Sequence, residues 1–358
     1  MTEPFRERVR AFVNDCVRPH LDDWEQEGAY PLSLHRRAGA AGLLSLGHSP
    51  EQLPDDPVAL SVLVEELTLS GAQGLTMGLA SHFVSLKAVQ AGDPGVAARV
   101  IPAVLKGERG IVLALTEPGA GSDLRALECR AEVCGSEYRL TGDKAFICNG
   151  GRADLRLVGA VHEGALALFL VEEDAPGVSA THRSCLGWRC LPLADLHFER
   201  TPARLLAAGR EAGRLLQQCL QQERLNLAVM AVASADLALR ETVAHCRERR
   251  VGGEPLLDKS VIRQRLAERH SELSVVRLYV EQAVRWQAGG QLSAAQAAIA
   301  KNMAVDTLER IARDAVQLHG AHGCVEPAVV ERLYRDARLL GIGGGAREVM
   351  LEIIGRAL

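Results

Sequence analysis

The chain has 358 residues, enough for two or three domains around a sizeable core, and at 47% hydrophobic and 24% charged it is an ordinary globular protein. A formal net charge of -4 leaves no basic footprint for nucleic acid or for an anionic membrane surface. No apolar run approaches the ~20 residues of a membrane span, and Met1-Thr2-Glu3 opens a polar helical pattern without a signal peptide, so a cytoplasmic protein is expected.

Residues 1 to about 108 read as helical. Phe5, Val9, Phe12, Val13 and Cys16 recur at helical spacing, and Ala59–Leu69 and Phe83–Ala91 carry further apolar stripes between Gly, Pro and Asp breaks. Gly47–Pro57 reads as a polar loop. From about 109 to 205 the period falls to two, in Ile111–Leu115, Tyr138–Leu140, Ala145–Cys148, Leu155–Val161, Ala165–Val171 and Ala194–Phe198, which predicts a small antiparallel β domain. Thr141-Gly142-Asp143 supplies turn chemistry between two of these strands. From about 206 onward long helical patterns return, Arg210–Arg249, Ser260–Ala288, Ser293–His319 and Glu326–Leu358, and short connections between them predict an antiparallel bundle. The nine cysteines are odd in number and without a C-x-x-C pair, so buried reduced thiols are expected rather than disulfides or a structural metal.

Two stretches carry chemistry. The strand at Ile111–Leu115 breaks into Thr116-Glu117-Pro118-Gly119-Ala120-Gly121-Ser122-Asp123, where Pro and Gly forbid regular structure. The exposed N–H groups of such a turn, with the Thr116 and Ser122 hydroxyls, form a donor-rich concavity suited to a pyrophosphate or the edge of a flavin ring. In the helix from Arg210, Leu216, Cys219, Leu220, Leu227 and Met230 fall on one apolar stripe, and Glu223 sits on it too. A carboxylate there is either a candidate general base whose pKa burial raises, or a surface residue paired with Arg224 or a neighbouring arginine.

Other motifs fail on context. Gly341-Ile342-Gly343-Gly344-Gly345-Ala346 satisfies a dinucleotide fingerprint, but no βαβ unit surrounds it, which leaves a Gly-rich turn before a final helix. His319 and His322 lack the spacing of a zinc helix, and no metal is expected.

Thr116–Asp123, then Lys144–Asp154, then Gln317–Gly323 and Glu331–Met350 together resemble the signatures of the acyl-CoA dehydrogenase family over essentially the whole chain. The resemblance implies an α+β fold with an N-terminal helical domain (1–108), a middle antiparallel β domain (109–205) and a C-terminal four-helix bundle (206–358). It implies FAD as cofactor, an acyl thioester as substrate and a homodimer or homotetramer. Most of that family carries its base in a C-terminal turn, which here reads Gly343-Gly344-Gly345-Ala346. Glu223-Arg224-Leu225 instead matches the long-chain and isovaleryl branches, whose base lies on the first bundle helix.

By this resemblance Glu223 takes the α proton and the Gly344 N–H polarises the thioester carbonyl, while Arg224 and Ser122 approach the substrate. Leu115, Thr116, Gly121, Ser122, Phe146, Ile147 and Cys148 border the flavin. Arg249, Gln317, Gly320 and Glu348 reach the rest of FAD, Arg249 across a subunit interface. Cys148 stands where the family carries Thr or Ser. Three activities follow as expectations: dehydrogenation of an acyl-CoA or carrier-protein thioester with electrons passing to an electron-transfer flavoprotein, a flavin monooxygenase or oxidase on the same fold, or a catalytically weakened scaffold.

Overall fold

The computed structural model describes residues 2–135 and 137–358. Met1, from which the opening helical pattern is counted, lies outside the described residues. Among the described residues seven α-helices come first: α1 (Thr2–Cys16), α2 (Leu21–Glu27), α3 (Ser33–Ala40), α4 (Pro57–Thr68), α5 (Gln73–Ala80), α6 (His82–Ala91) and α7 (Pro94–Leu105). Their starts follow local chemistry. Asp56 and Asp93 accept from the N–H of Ala59 (2.9 Å) and Val96 (2.8 Å), and each is followed by a proline whose missing N–H costs nothing in a first turn.

Seven strands then form one sheet: β1 (Ile111–Ala114), β2 (Arg130–Cys134), β3 (Glu137–Cys148), β4 (Leu155–His162), β5 (Ala165–Glu172), β6 (Val178–Arg183) and β7 (Leu193–Ala208). β4, β5, β7, β3 and β2 pair in turn, and β2 meets β4 again at Arg130–Val161, so the sheet curls around a core that includes Leu140, Val158, Phe169 and Phe198. The sheet is not purely antiparallel, because β1 runs parallel to β4 with Ile111 opposite Leu155. That pairing is possible because the whole of β2 and β3 intervenes between the two strands, giving the chain length a parallel crossover requires.

One sequence expectation is overturned here. Thr141-Gly142-Asp143 is no turn but lies inside β3, a single twelve-residue strand. The ladder with β7 shifts register between Leu140 and Gly142, and Gly142 has φ +142. A Cβ at Gly142 would stand 2.7 Å from the Cys129 Cα, so the glycine permits a strand kink against a crossing chain rather than a reversal.

The last part is helical: α8 (Gly209–Glu248), a two-residue hairpin pair β8 (Arg250–Val251) and β9 (Glu254–Pro255), α9 (Ser260–Ala288), α10 (Ala294–His319), α11 (Val329–Leu340) and α12 (Arg347–Gly355). At 40 residues α8 is about 60 Å long. It packs on α9, α10 and α11 within the bundle, on α4 and α6 of the first region, and on β5 and β7 of the sheet. α8 thus touches all three regions, and Glu223 sits near its middle.

Candidate active site

The loop after β1 is held from beneath by a buried ion pair. Lys144, fully enclosed on β3, donates to the Leu115 carbonyl at 3.0 Å and to Glu117 Oε1 at 2.6 Å. The Glu117 carboxylate also accepts from the N–H of Glu128 (2.6 Å) and Cys129 (3.1 Å), so both of its oxygens are spent inward. Glu117 and Ala120 close a tight bridge, and the Thr116 carbonyl accepts from Ala145 N–H at 2.8 Å. The fixed turn leaves its outer edge open: Ser122 is exposed, and a Cβ at Gly119 or Gly121 would meet nothing within 4 Å. Leu115 and Ala120 pack with Leu216 and Leu220, which sets this loop beside α8 two turns before Glu223.

Glu223 is half-buried on α8. No ion pair engages it among the described residues; Arg224, largely buried, sends its Nε to the Gly344 carbonyl at 3.1 Å instead. Burial raises the Glu223 pKa, opposed by the charges of Lys301 and Arg224. Lys301 shows the complementary effect, its ammonium pushed down to about 8 by burial although Glu223 pulls it up. Both shifts have burial as their main cause, so desolvation outweighs the attraction between the two groups. The Lys301 ammonium is spent on the Gly345 carbonyl.

The Gly-rich turn closes on this carboxyl. Gly344 has φ +64, and a Cβ there would stand 2.6 Å from Leu227 and 3.7 Å from the Glu223 Cγ. The left-handed φ and the Leu227 side chain, rather than Glu223, exclude a side chain at this position. Arg224 and Lys301 hold the carbonyls of Gly344 and Gly345, while the Gly344 N–H has no backbone partner among the described residues. The end of β3 faces the same place. Cys148 feels the Glu223 charge, and burial first, then Glu223, pushes its thiol up to about 12, so it stays protonated. Phe146 on the same strand has φ +60, is 60% exposed, and is pinned by Asp195, which accepts from its N–H at 3.1 Å. Ile147 turns inward to the sheet core. The exposed Phe146 and the open glycines of the Thr116–Ser122 turn are groups that could border a flavin ring.

Several contributors have no sequence motif. Trp188 donates its indole N–H to Gln73 on α5 (3.1 Å) and its backbone N–H to Asp336 on α11 (2.7 Å), while Gln73 donates to Ser234 on α8 (3.0 Å). These bonds clamp the chain before β7 to both helical regions beside Gly343. Lys144 and Glu117 lie in the two motifs, but their pairing does not show in the sequence, since a lysine next to a turn-like triplet and an acid in a Pro-Gly loop both read as solvent-facing. Three of the nine free thiols, Cys134, Cys185 and Cys324, are exposed, against the expectation of burial, because they sit at a strand end or in surface loops.

The remaining candidates lie elsewhere. Arg249, Gln317 and Gly320 gather where α8 and α10 end, near the stacked rings of His245 and His319 (4.2 Å), and Glu348 is exposed in the first turn of α12. Arg249 follows Glu223 by about 26 residues along α8, or roughly 39 Å. One copy of the chain therefore keeps Arg249 far from the Glu223 carboxyl. No cluster of metal-ligating side chains occurs among the described residues.

Beside Glu223 a narrow cavity of about 50 Å3 runs between α4, α5, α6, β1 and α8, lined by residues such as Val64, Val84, Leu113 and Met230. A carboxyl lining a largely apolar slot suits proton removal next to a carbonyl. The chain matches the acyl-CoA dehydrogenase N-terminal domain over residues 2–108, the middle domain over 112–201 and the C-terminal domain over 212–358. It is 32% identical to the mitochondrial long-chain specific acyl-CoA dehydrogenase of Sus scrofa, covering 99% of this chain and 85% of that protein. The fold matches acyl-CoA dehydrogenase from Geobacillus kaustophilus with a TM-score of 0.92 at 28% identity, covering 99% of this chain and 97% of that one. Butyryl-CoA dehydrogenase from Megasphaera elsdenii matches with a TM-score of 0.91 at 26% identity and the same coverage. With all three domains matched in order, the chain belongs to the acyl-CoA dehydrogenase family of flavoprotein oxidoreductases.

Proposed function

We propose that the protein catalyses FAD-dependent α,β-dehydrogenation of an acyl thioester, carried by CoA or by a carrier protein, to the 2-enoyl thioester. The observation that carries this reading is the approach of Gly344 to Glu223, which lines a largely apolar slot. The exposed Phe146 and the open glycines of the Thr116–Ser122 turn fit the border of a flavin ring. Leu115, Thr116, Gly121, Ser122, Phe146, Ile147 and Cys148 would border it, Gln317, Gly320 and Glu348 would hold its outer parts, and Arg249 would reach it across a subunit interface. FAD, when bound, supplies the acceptor for the hydride that leaves the β carbon.

The chain's own part is acid–base and electrostatic. The Gly344 N–H donates to the thioester carbonyl oxygen and stabilises the charge that grows there as the α proton departs. Glu223 Oε takes that proton, and burial keeps the carboxylate basic enough to do so. Arg224 acts from behind, bracing the Gly344 carbonyl and so the aim of its N–H, with Ser122 at the substrate side of the donor turn. The protonated Cys148 thiol is a weak donor and no nucleophile. Electrons would leave for an electron-transfer flavoprotein, and a homo-oligomer would complete the site.

The test is anaerobic mixing of the FAD-loaded protein with a panel of acyl-CoA thioesters while flavin absorbance is followed. Glu223→Gln is expected to slow bleaching by about 10^2 to 10^4, the usual worth of a positioned base. Bleaching of this variant at the wild-type rate sinks the assignment. Rapid oxygen consumption by the reduced protein would replace the dehydrogenase reading with an oxidase or monooxygenase.

A further inference from the structure

The slot beside Glu223 is not walled by hydrocarbon alone. Asn226, Ser81 and Thr76 interrupt its apolar lining. Asn226 is 8% exposed and stands three residues beyond Glu223 on the same face of α8, about 4.5 Å farther along the axis. Its Oδ1 accepts from Gln222 Nε2 at 3.0 Å, and its Nδ2 has no protein partner among the described residues.

A chain of side-chain amides determines which end of Asn226 meets the slot. Gln221 Nε2 donates to the Leu292 carbonyl at 3.0 Å and to Gln287 Oε1 at 3.2 Å. Gln287 Nε2 donates to Gln222 Oε1 at 3.5 Å, and Gln222 Nε2 donates to Asn226 Oδ1. A backbone carbonyl only accepts, so Leu292 fixes the NH2 end of Gln221, and each amide then orients the next. Asn226 is left to present N–H donors, not an acceptor. Ser81 lines the same slot, and its hydroxyl caps no helix N–H. A buried donor facing only alkyl chain would lose its hydrogen bond, and that loss is what lets a site reject the analogue without the matching oxygen.

Resting on the dehydrogenase reading above, we infer that the preferred acyl group carries an acceptor oxygen, hydroxyl or keto, beyond its β carbon, held by Asn226 Nδ2. The base takes its proton at the α carbon while the amide one turn on reads the distal chain. Asn226 is thus a specificity residue, and Gln221, Gln287 and Gln222 position it.

Calorimetry on the FAD-loaded protein with two size-matched enoyl products, 2-hexenoyl-CoA and 4-hydroxy-2-pentenoyl-CoA, measures this without turnover. The hydroxylated ligand is expected to bind the wild type about tenfold more tightly, the worth of one well-placed hydrogen bond. Asn226→Leu is expected to reverse the preference, and Gln222→Leu, which frees Asn226 to rotate, to erase it. Equal or tighter binding of 2-hexenoyl-CoA by the wild type overturns the inference, whatever the variants do. If hexanoyl-CoA then bleaches the flavin, the dehydrogenase reading stands without it; if neither ligand binds, both fall.

Discussion

Glu223 carries an energetic cost that can be measured apart from catalysis. Burial raises its pKa above the ordinary 4.5, with Lys301 and Arg224 opposing. The folded chain therefore holds this proton more tightly than the unfolded chain does, and between the two pKa values the native state binds more protons. Stability from this group is fully present below about 4.5 and is lost as pH rises through the raised folded value. Glu223→Gln removes a charge that the fold tolerates poorly. The variant is expected to melt above wild type near pH 7 and level with it near pH 4, by scanning calorimetry at the two values. A melting difference that is the same at both would mean that the carboxyl is not desolvated. The Cys148 thiol, pushed up to about 12, stays neutral throughout this window and contributes nothing to it.

At the level of elements, the donor turn owes its shape to β3 beneath it. Lys144 is fully buried and spends its ammonium on Glu117 and the Leu115 carbonyl, so the strand and the turn are one unit. Lys144→Met leaves the Glu117 carboxylate buried without its partner cation, a change worth about 3–5 kcal/mol. Thermal unfolding should drop accordingly, and adding Glu117→Gln should return much of the loss. A Lys144→Met protein as stable as wild type would show that the pair is dispensable.

The same strand shows what sequence could and could not reveal. The α8 stripe was legible because helical spacing lines up Leu216, Cys219, Leu227 and Met230 over several turns, and an acid among them stands out. Thr141-Gly142-Asp143 misled because turn chemistry and a strand kink use the same residues, and only the crossing of Cys129 over Gly142 distinguishes them. The strands β2 and β6 had no alternation to find, since four of five and five of six of their residues are exposed. Lys144 with Glu117, and Trp188 with Gln73, are joined by tertiary approach across 27 and 115 positions, which no local pattern encodes.

The whole molecule raises the question of which copy supplies which half of a site. Glu223 and Gly344 meet in mid-bundle, whereas Arg249, Gln317 and Gly320 lie at the far end of α8 and α10, roughly 39 Å away for Arg249. A helix of this length does not fold back, so residues at its two ends can serve one ligand only if a second chain presents its own far end to the first chain's middle. On that proposal, Glu223→Gln protein lacks its base but offers an intact Arg249, and Arg249→Ala protein has its base but offers no cation for the partner's cofactor. Each homo-oligomer should be nearly inactive, and Arg249→Ala should also release FAD on gel filtration. Hybrids formed by coexpression, purified through two different tags, should regain a substantial fraction of wild-type bleaching and hold about half the flavin, because one site in each pair then receives both wild-type residues. Hybrids no more active than the two variants measured separately would show that Arg249 does not serve the partner's site.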